Sequence, residues 1–135
     1  MMIGGCAAMI VDTSALIAIL RDEPDAPVFA RILANCTEPC RISAANYLEA
    51  AIIIDSSGDP VASSRLDELI ARADITIESV TAQQAQIARV AYRNYGKGRG
   101  HPARLNFGDC FAYALSQTTS ESLLFKGNDF IHTDV

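Results

Sequence analysis

The chain lacks the usual signatures of several common site types. Its four cysteines, Cys6, Cys36, Cys40 and Cys110, form no CxxC pair, and neither His101 nor His132 is close to any of them in sequence. That spacing argues against a structural zinc site and against a Cys/His nucleophilic pair. Unpaired cysteines point to a reducing compartment. The glycine-rich stretch Gly96-Lys97-Gly98-Arg99-Gly100 lacks the strand–turn–helix setting of a phosphate loop. No long apolar run is present. Met1 to Val11 is apolar, but it has no basic leader and Asp12 cuts it short. This reads as neither a signal peptide nor a membrane span, so the expectation is a cytoplasmic protein with no membrane contact. Repeats, low-complexity tracts and linkers are also missing.

A length of 135 residues implies one domain, and an apolar content of 50% is ample for a core. The net charge of −5 is no general nucleic-acid signal, but it is unevenly spread. Between Ser79 and Gly108 there is no acid, while Arg89, Arg93, Lys97, Arg99 and Arg104 all fall there. An acidic protein with one basic segment can bind a polyanion locally.

Short strands alternate with helices along the chain. Met9 to Val11 reads as a strand, followed by a helix from Ser14 to Leu20 with Thr13 or Ser14 as N-cap. That helix is apolar nearly all round, so it should be buried or face a partner. Val28, Phe29, Ile32 and Leu33 mark a second helix. Arg41-Ile42 reads as a strand, and Ser43 caps a helix running to about Asp55. Leu66, Leu69, Ile70 and Ala73 mark another helix, and Ile75 to Ile77 a third strand. Thr81 and Gln84 have capping-box spacing, opening a helix expected to turn Ile87, Val90 and Ala91 inward. On that helix Arg89, Arg93 and Lys97 share one face. Phe107, Cys110, Phe111, Ala114 and Leu115 form the apolar stripe of the next helix. Ser122 to Phe125 reads as strand four and Ile131 to Thr133 as a short fifth. The pattern predicts an α/β fold, with a mainly parallel central sheet flanked by helices on both faces. Such folds place their sites beyond the carboxyl ends of the strands.

Four acids occupy apolar or strand-end settings: Asp12 after Met9-Ile10-Val11, Glu49 within Tyr47 to Ile54, Asp109 in a first helical turn, and Asp129 after Leu123-Leu124-Phe125. Acids rarely sit in such surroundings without a partner. Brought together they would repel, and a divalent cation is the natural neutraliser. Mg²⁺ and Mn²⁺ favour oxygen ligands, and such an ion can activate water and offset charge on phosphorus.

The segments MIVDTSALIAIL, ISAANYLEAAIII, LNFGDCFAYALS and LLFKGNDFIHTD resemble, in order and interval, the PIN-domain ribonucleases, and within them the VapC toxins of bacterial toxin–antitoxin pairs. The resemblance spans Met9 to Val135 and leaves residues 1–8 as an N-terminal extension. It implies that Asp12, Glu49, Asp109 and Asp129 are the acidic metal-binding and catalytic residues. Asp12 and Asp109 are the expected direct ligands, with Glu49 and Asp129 beside them. It also implies Mg²⁺- or Mn²⁺-dependent endonucleolytic cleavage of RNA such as tRNA or rRNA, a cognate VapB-type antitoxin, and a homodimer. Ser14 and Asn128 are candidate donors to the ligands. Arg89, Arg93, Lys97, Arg99 and Arg104 are candidate RNA contacts.

Each residue also has an ordinary reading. Asp12 and Asp109 can be acids at positive helix ends, Glu49 a surface residue, and Asp129 a turn residue. The basic stripe can be a solvated face. His101 and His132 read as surface or structural residues, and Cys110 as core. Two other functions remain open: a receiver-like Mg²⁺-binding signalling domain, for which strand three offers only Glu78, and a catalytically inactive module that binds RNA or protein.

Overall fold

The computed structural model describes residues 7–135. The extension expected over residues 1–8 therefore lies outside the described residues except for Ala7 and Ala8, as does Cys6. The elements follow in the order β1 (Met9–Val11), α1 (Thr13–Leu20), α2 (Ala26–Ala34), β2 (Arg41–Ser43), α3 (Ala44–Asp55), α4 (Pro60–Arg72), β3 (Thr76–Glu78), α5 (Ala82–Tyr95), α6 (Phe107–Thr119) and β4 (Ser122–Leu124).

All strand pairs are parallel, and the sheet order is β3-β2-β1-β4. The chain moves outward from β1 to β3 and then returns to the other side of β1. The reversal lies between β1 and β4, where Val11 pairs with Leu124. In open parallel sheets the crevice at this reversal is where ligands bind. Asp12 leaves β1 there, and the segment after β4 leads to Asp129.

Two core clusters cover the sheet. Val11, Ile42 and Leu124 pack with α1, α2, α3 and α4, whereas Leu123 and Phe125 join α5, α6 and Phe130. Successive β4 residues thus feed opposite faces, as the two-residue strand period requires. α1 is almost wholly consumed by the first cluster: Ala15, Leu16 and Ala18 are fully buried. α3 by contrast exposes Leu48, Ile52 and Ile53.

Several expectations need correction. The N-cap of α1 is Asp12, not Thr13 or Ser14. Residues 131–133 form turns instead of a fifth strand, with Ile131 N–H donating to the Asn128 carbonyl and Thr133 N–H to that of Phe130. Strand three is shifted by one residue, and strand four stops at Leu124. Val90 points outward because α5 buries Gln84, Ala88 and Ala91 instead. Small residues on that stripe let α5 approach α6 closely. Phe107, expected on the buried stripe of α6, is 78% exposed.

Candidate active site

Asp12 is placed by two transitions at once. Its N–H donates to the Leu124 carbonyl at 2.9 Å, continuing the β1–β4 ladder, while its side chain caps α1. The Ser14 N–H and hydroxyl both donate to Asp12 Oδ2, at 3.0 and 2.5 Å. The Ser14 hydroxyl also accepts from the Lys126 N–H at 2.9 Å, which ties the loop after β4 to the start of α1. Oδ2 is thereby satisfied. Oδ1 is buried and has no hydrogen-bond partner. A buried carboxylate oxygen left bare is costly, and burial raises the Asp12 pKa above its usual value against the opposing Ser14 bonds.

Asp109 is held by a reciprocal capping box at the start of α6. Its N–H donates to Asn106 Oδ1 at 2.9 Å, and Asn106 N–H donates to Asp109 Oδ2 at 3.0 Å. The same box leaves the carboxyl beside Asp129 and within the field of Asp12. Burial, then those neighbours, push the Asp109 pKa up to about 8, against the Asn106 bond.

Glu49, on α3, reaches the site through a missing side chain. A Cβ at Gly108 would lie 2.5 Å from Glu49 Oε2, so glycine at the second residue of α6 makes the space that the carboxylate fills. α3 and α6 are fastened at the same level by Asn46, which is fully buried and donates from Nδ2 to the Gly108 carbonyl at 2.9 Å. Thr13 Oγ1 donates to the Asn46 carbonyl at 3.1 Å, joining α1 to the same node. Glu49 in turn contributes to raising the Asp12 pKa.

One cavity of about 410 Å³ is therefore lined by Asp12, Glu49, Asp109 and Asp129 together. Its one lining cation is Lys126, which is exposed and already paired with Glu23 and, at 3.3 Å, with Asp25. Among the described residues no three of these groups are gathered as a finished metal cage. The donor set nonetheless fits a hard divalent ion: carboxylates only, one of them with a bare buried oxygen and another retaining its proton near neutral pH. Asn128 is exposed in the turn before Asp129 and does not line this cavity.

Sequence reasoning missed Asn46, Asn106, Gly108 and the Lys126–Glu23 pair. Asn106, three residues before Asp109, has the spacing of a capping box and was legible on that ground. Asn46 carried no such signal, because its partners are the Gly108 carbonyl and Thr13.

Of the five basic residues, Arg89 and Arg93 are on α5, and Lys97, Arg99 and Arg104 are in the segment between α5 and α6. All are exposed, and none has a carboxylate within ion-pair distance among the described residues. Arg89 and Lys97 line a second cavity between α5 and α6. His101 is half-buried, its Nδ1 accepting from the Ala103 N–H at 3.0 Å, and His132 is exposed. Cys110 is in the core, where burial, followed by the charge of Asp109, pushes its thiol up to about 11.

Residues 9–135 match the PIN domain family. The chain is 59% identical over 127 residues to Ribonuclease VapC28 of Mycobacterium tuberculosis, covering 94% of this chain and 95% of that protein. It is 50% identical over 128 residues to Ribonuclease VapC of Mycolicibacterium smegmatis, covering 94% and 97%. Among solved structures, VapC20 of M. tuberculosis, a Sarcin-Ricin loop cleaving toxin, superimposes with a TM-score of 0.73 at 17% identity, covering 95% of this chain and 98% of that one. A toxin–antitoxin complex from Klebsiella pneumoniae gives 0.70 at 16% identity, with 94% and 93% covered. The low identities carry the fold alone, whereas the family match and the close relatives place the chain: it belongs to the PIN-domain family, among the VapC-type ribonuclease toxins.

Proposed function

We propose that this chain is a divalent-metal-dependent endoribonuclease of a VapBC-type pair, acting on RNA such as tRNA or rRNA in the cytoplasm and restrained by a VapB-type antitoxin. The observation that supports this most is the bare, buried Oδ1 of Asp12, a residue that lines one cavity with Glu49, Asp109, Asp129 and Glu23, the last of these paired with the cavity's lining cation, Lys126. Asp12 and Asp109 would hold Mg²⁺ or Mn²⁺, with Glu49 and Asp129 completing the set. When bound, the ion supplies the Lewis acidity that activates water and offsets charge at phosphorus.

The chain's own residues do the positioning. Ser14 holds Oδ2 of Asp12 and leaves Oδ1 without a hydrogen-bond partner. Asn106 fixes the Asp109 carboxyl, and the Asn46–Gly108 bond sets the distance between α3 and α6. A raised Asp109 pKa means that metal binding must expel a proton, so affinity should rise with pH through about 8.

A receiver-like role has little support here, since Glu78 ends the edge strand in an ion pair with Arg41 at 2.9 Å. The relatives, and the exposed Leu48, Ile52 and Ile53 of α3, support the antitoxin and homodimer readings. α1 itself, which the sequence left free to face a partner, is too buried to do so. The test is cleavage of total RNA by purified protein, with EDTA and then Mg²⁺ or Mn²⁺. Activity should disappear and return, and full activity in EDTA would end the metal reading. A protein encoded next to this chain should co-purify with it and inhibit it.

A further inference from the structure

The second cavity, about 720 Å³, opens between α5 and the first turn of α6. Its walls are aromatic. Phe107 and Phe111 meet edge to face with ring centroids 4.9 Å apart, and Tyr92 faces them from α5. Phe107 is 78% exposed, which is unusual for a phenylalanine that no neighbour covers. The Tyr92 wall is built in: a Cβ at Gly96 would lie 2.6 Å from its ring, and its hydroxyl donates to the Lys97 carbonyl at 3.1 Å. Charge enters through Arg89 and Lys97, and no acid lines the cavity.

Two facts tell what such a cavity would hold. It adjoins the acidic cavity, because Asn106 lines both, and Phe107 is two residues from Asp109. Its chemistry is flat apolar surface beside unpaired cations. Single-stranded RNA has matching parts, since bases stack on aromatic rings while the backbone runs along basic side chains. A volume within the range of small-ligand pockets accommodates one base with its ribose.

We propose that this cavity receives an unstacked nucleobase of the RNA, next to the phosphodiester presented to the four acids. Phe107 supplies the stacking face, and Arg89 and Lys97 hold the adjoining phosphate. The inference rests on the ribonuclease reading and adds a requirement for unpaired RNA at the cut. A helix keeps its bases stacked, so structured RNA would be cut only at a loop or bulge.

The chain contains no tryptophan, so Phe107→Trp places a single indole reporter in the cavity and keeps an aromatic face. In an Asp109→Asn background, which spares the RNA, this protein is titrated with a mixed-sequence RNA dodecamer and with an abasic oligomer of equal length. Binding is read in parallel by anisotropy of an end label. The expected result is indole quenching by the RNA but not by the abasic chain. Phe107→Ala in the same background should bind the RNA about tenfold more weakly, with Phe107→Trp restoring affinity. RNA binding without quenching, or with equal affinity for the abasic chain, would overturn the base pocket and leave the ribonuclease reading standing. No RNA binding at all would remove both. Indole quenching by the purified antitoxin alone, with RNA silent, would assign the cavity to the protein partner and refute the proposal.

Discussion

The two cavities beside α6 are opposites built from one helix start. On the inner side, Asp109 is buried, capped by Asn106 and crowded by other carboxylates. On the outer side, two residues earlier, Phe107 is exposed among arginine and lysine. The inner cavity is made by constraint: every acid is held by a cap, a neighbouring acid or a glycine-sized gap. The outer side is made by omission, with Arg89 and Lys97 lining the cavity and no carboxylate there to pair them. Constraint suits a site where tenths of an ångström matter for ligand geometry. Omission suits a surface that must exchange solvent for phosphate.

The contrast breaks most sharply on the acidic side. Asp12→Asn or Asp109→Asn should lower RNA cleavage by more than about 100-fold, since changes one layer outside a metal site already cost about 10- to 100-fold. Both variants should stay folded, and the metal-free proteins should melt no lower than the parent, because an amide avoids the cost of burial that raises both carboxyl pKa values. Cleavage at the parent rate, with contaminating nuclease excluded, would remove these residues from the site. Gly108→Ala is a finer probe. The new methyl meets the movable end of Glu49, so the carboxylate should swing away with little effect on folding. Activity should fall about tenfold while the melting temperature holds. Unchanged activity would show that Glu49 does not need that place.

Much of this contrast was legible in the sequence, and the missing parts have physical causes. The strand-end position of Asp12 follows from local patterns, and the parallel sheet follows from alternation, whereas Asp129 lies in a turn five residues past the end of β4. Periodicity failed at Val90 and Phe107. It gives the angle of a residue round a helix axis, but not how closely, or how far along, a neighbour reaches. α5 buries alanines because a small-residue stripe permits close approach, so the larger Val90 is left outside. An N-cap-like acid was one reading of Asp12, but Thr13 and Ser14 are good caps too. The choice was decided by the β1–β4 ladder, which holds the Asp12 backbone extended. Residues 131–133 look strand-like, but the N–H groups of Ile131 and Thr133 are taken by the local carbonyls of Asn128 and Phe130. Asn46 was invisible because its partners lie 33 and 62 residues away.

A smaller effect should appear in the pH dependence of the metal-free protein. The unfolded chain loses the Asp109 proton near its ordinary pKa of 3.8, whereas the fold keeps it until about 8. Folding therefore retains a proton over that window, and the contribution to stability is complete below about pH 4 and lost as pH rises through about 8. Asp12, also raised by burial, acts in the same direction. In EDTA the melting temperature should fall between pH 5 and pH 8, and less steeply in Asp109→Asn. Saturating Mg²⁺ should reverse the trend, since ligands must be deprotonated to bind it and binding stabilises the fold. An identical slope in parent and variant would place the titration elsewhere.

The smallest effect belongs to the basic side. Exposed cations contribute little to folding, so Arg89, Arg93 and Lys97 changed together to alanine should leave the melting temperature nearly unchanged. Their effect should appear only with a polyanion present. Each phosphate contact to single-stranded RNA contributes about 0.7 to the slope of log affinity against log salt, so three lost contacts should flatten it by about 2. Arg89 and Lys97 line the aromatic cavity and Arg93 does not, so the single variants separate two kinds of cation. Loss at Arg89 or Lys97 should weaken binding of RNA and of the abasic oligomer alike, because both keep the phosphate. Loss at Arg93 should cost less with either. If the triple variant keeps the parent's slope, the stripe is a solvated face, and the opposition between the two sides of α6 is one of solubility and not of substrate binding.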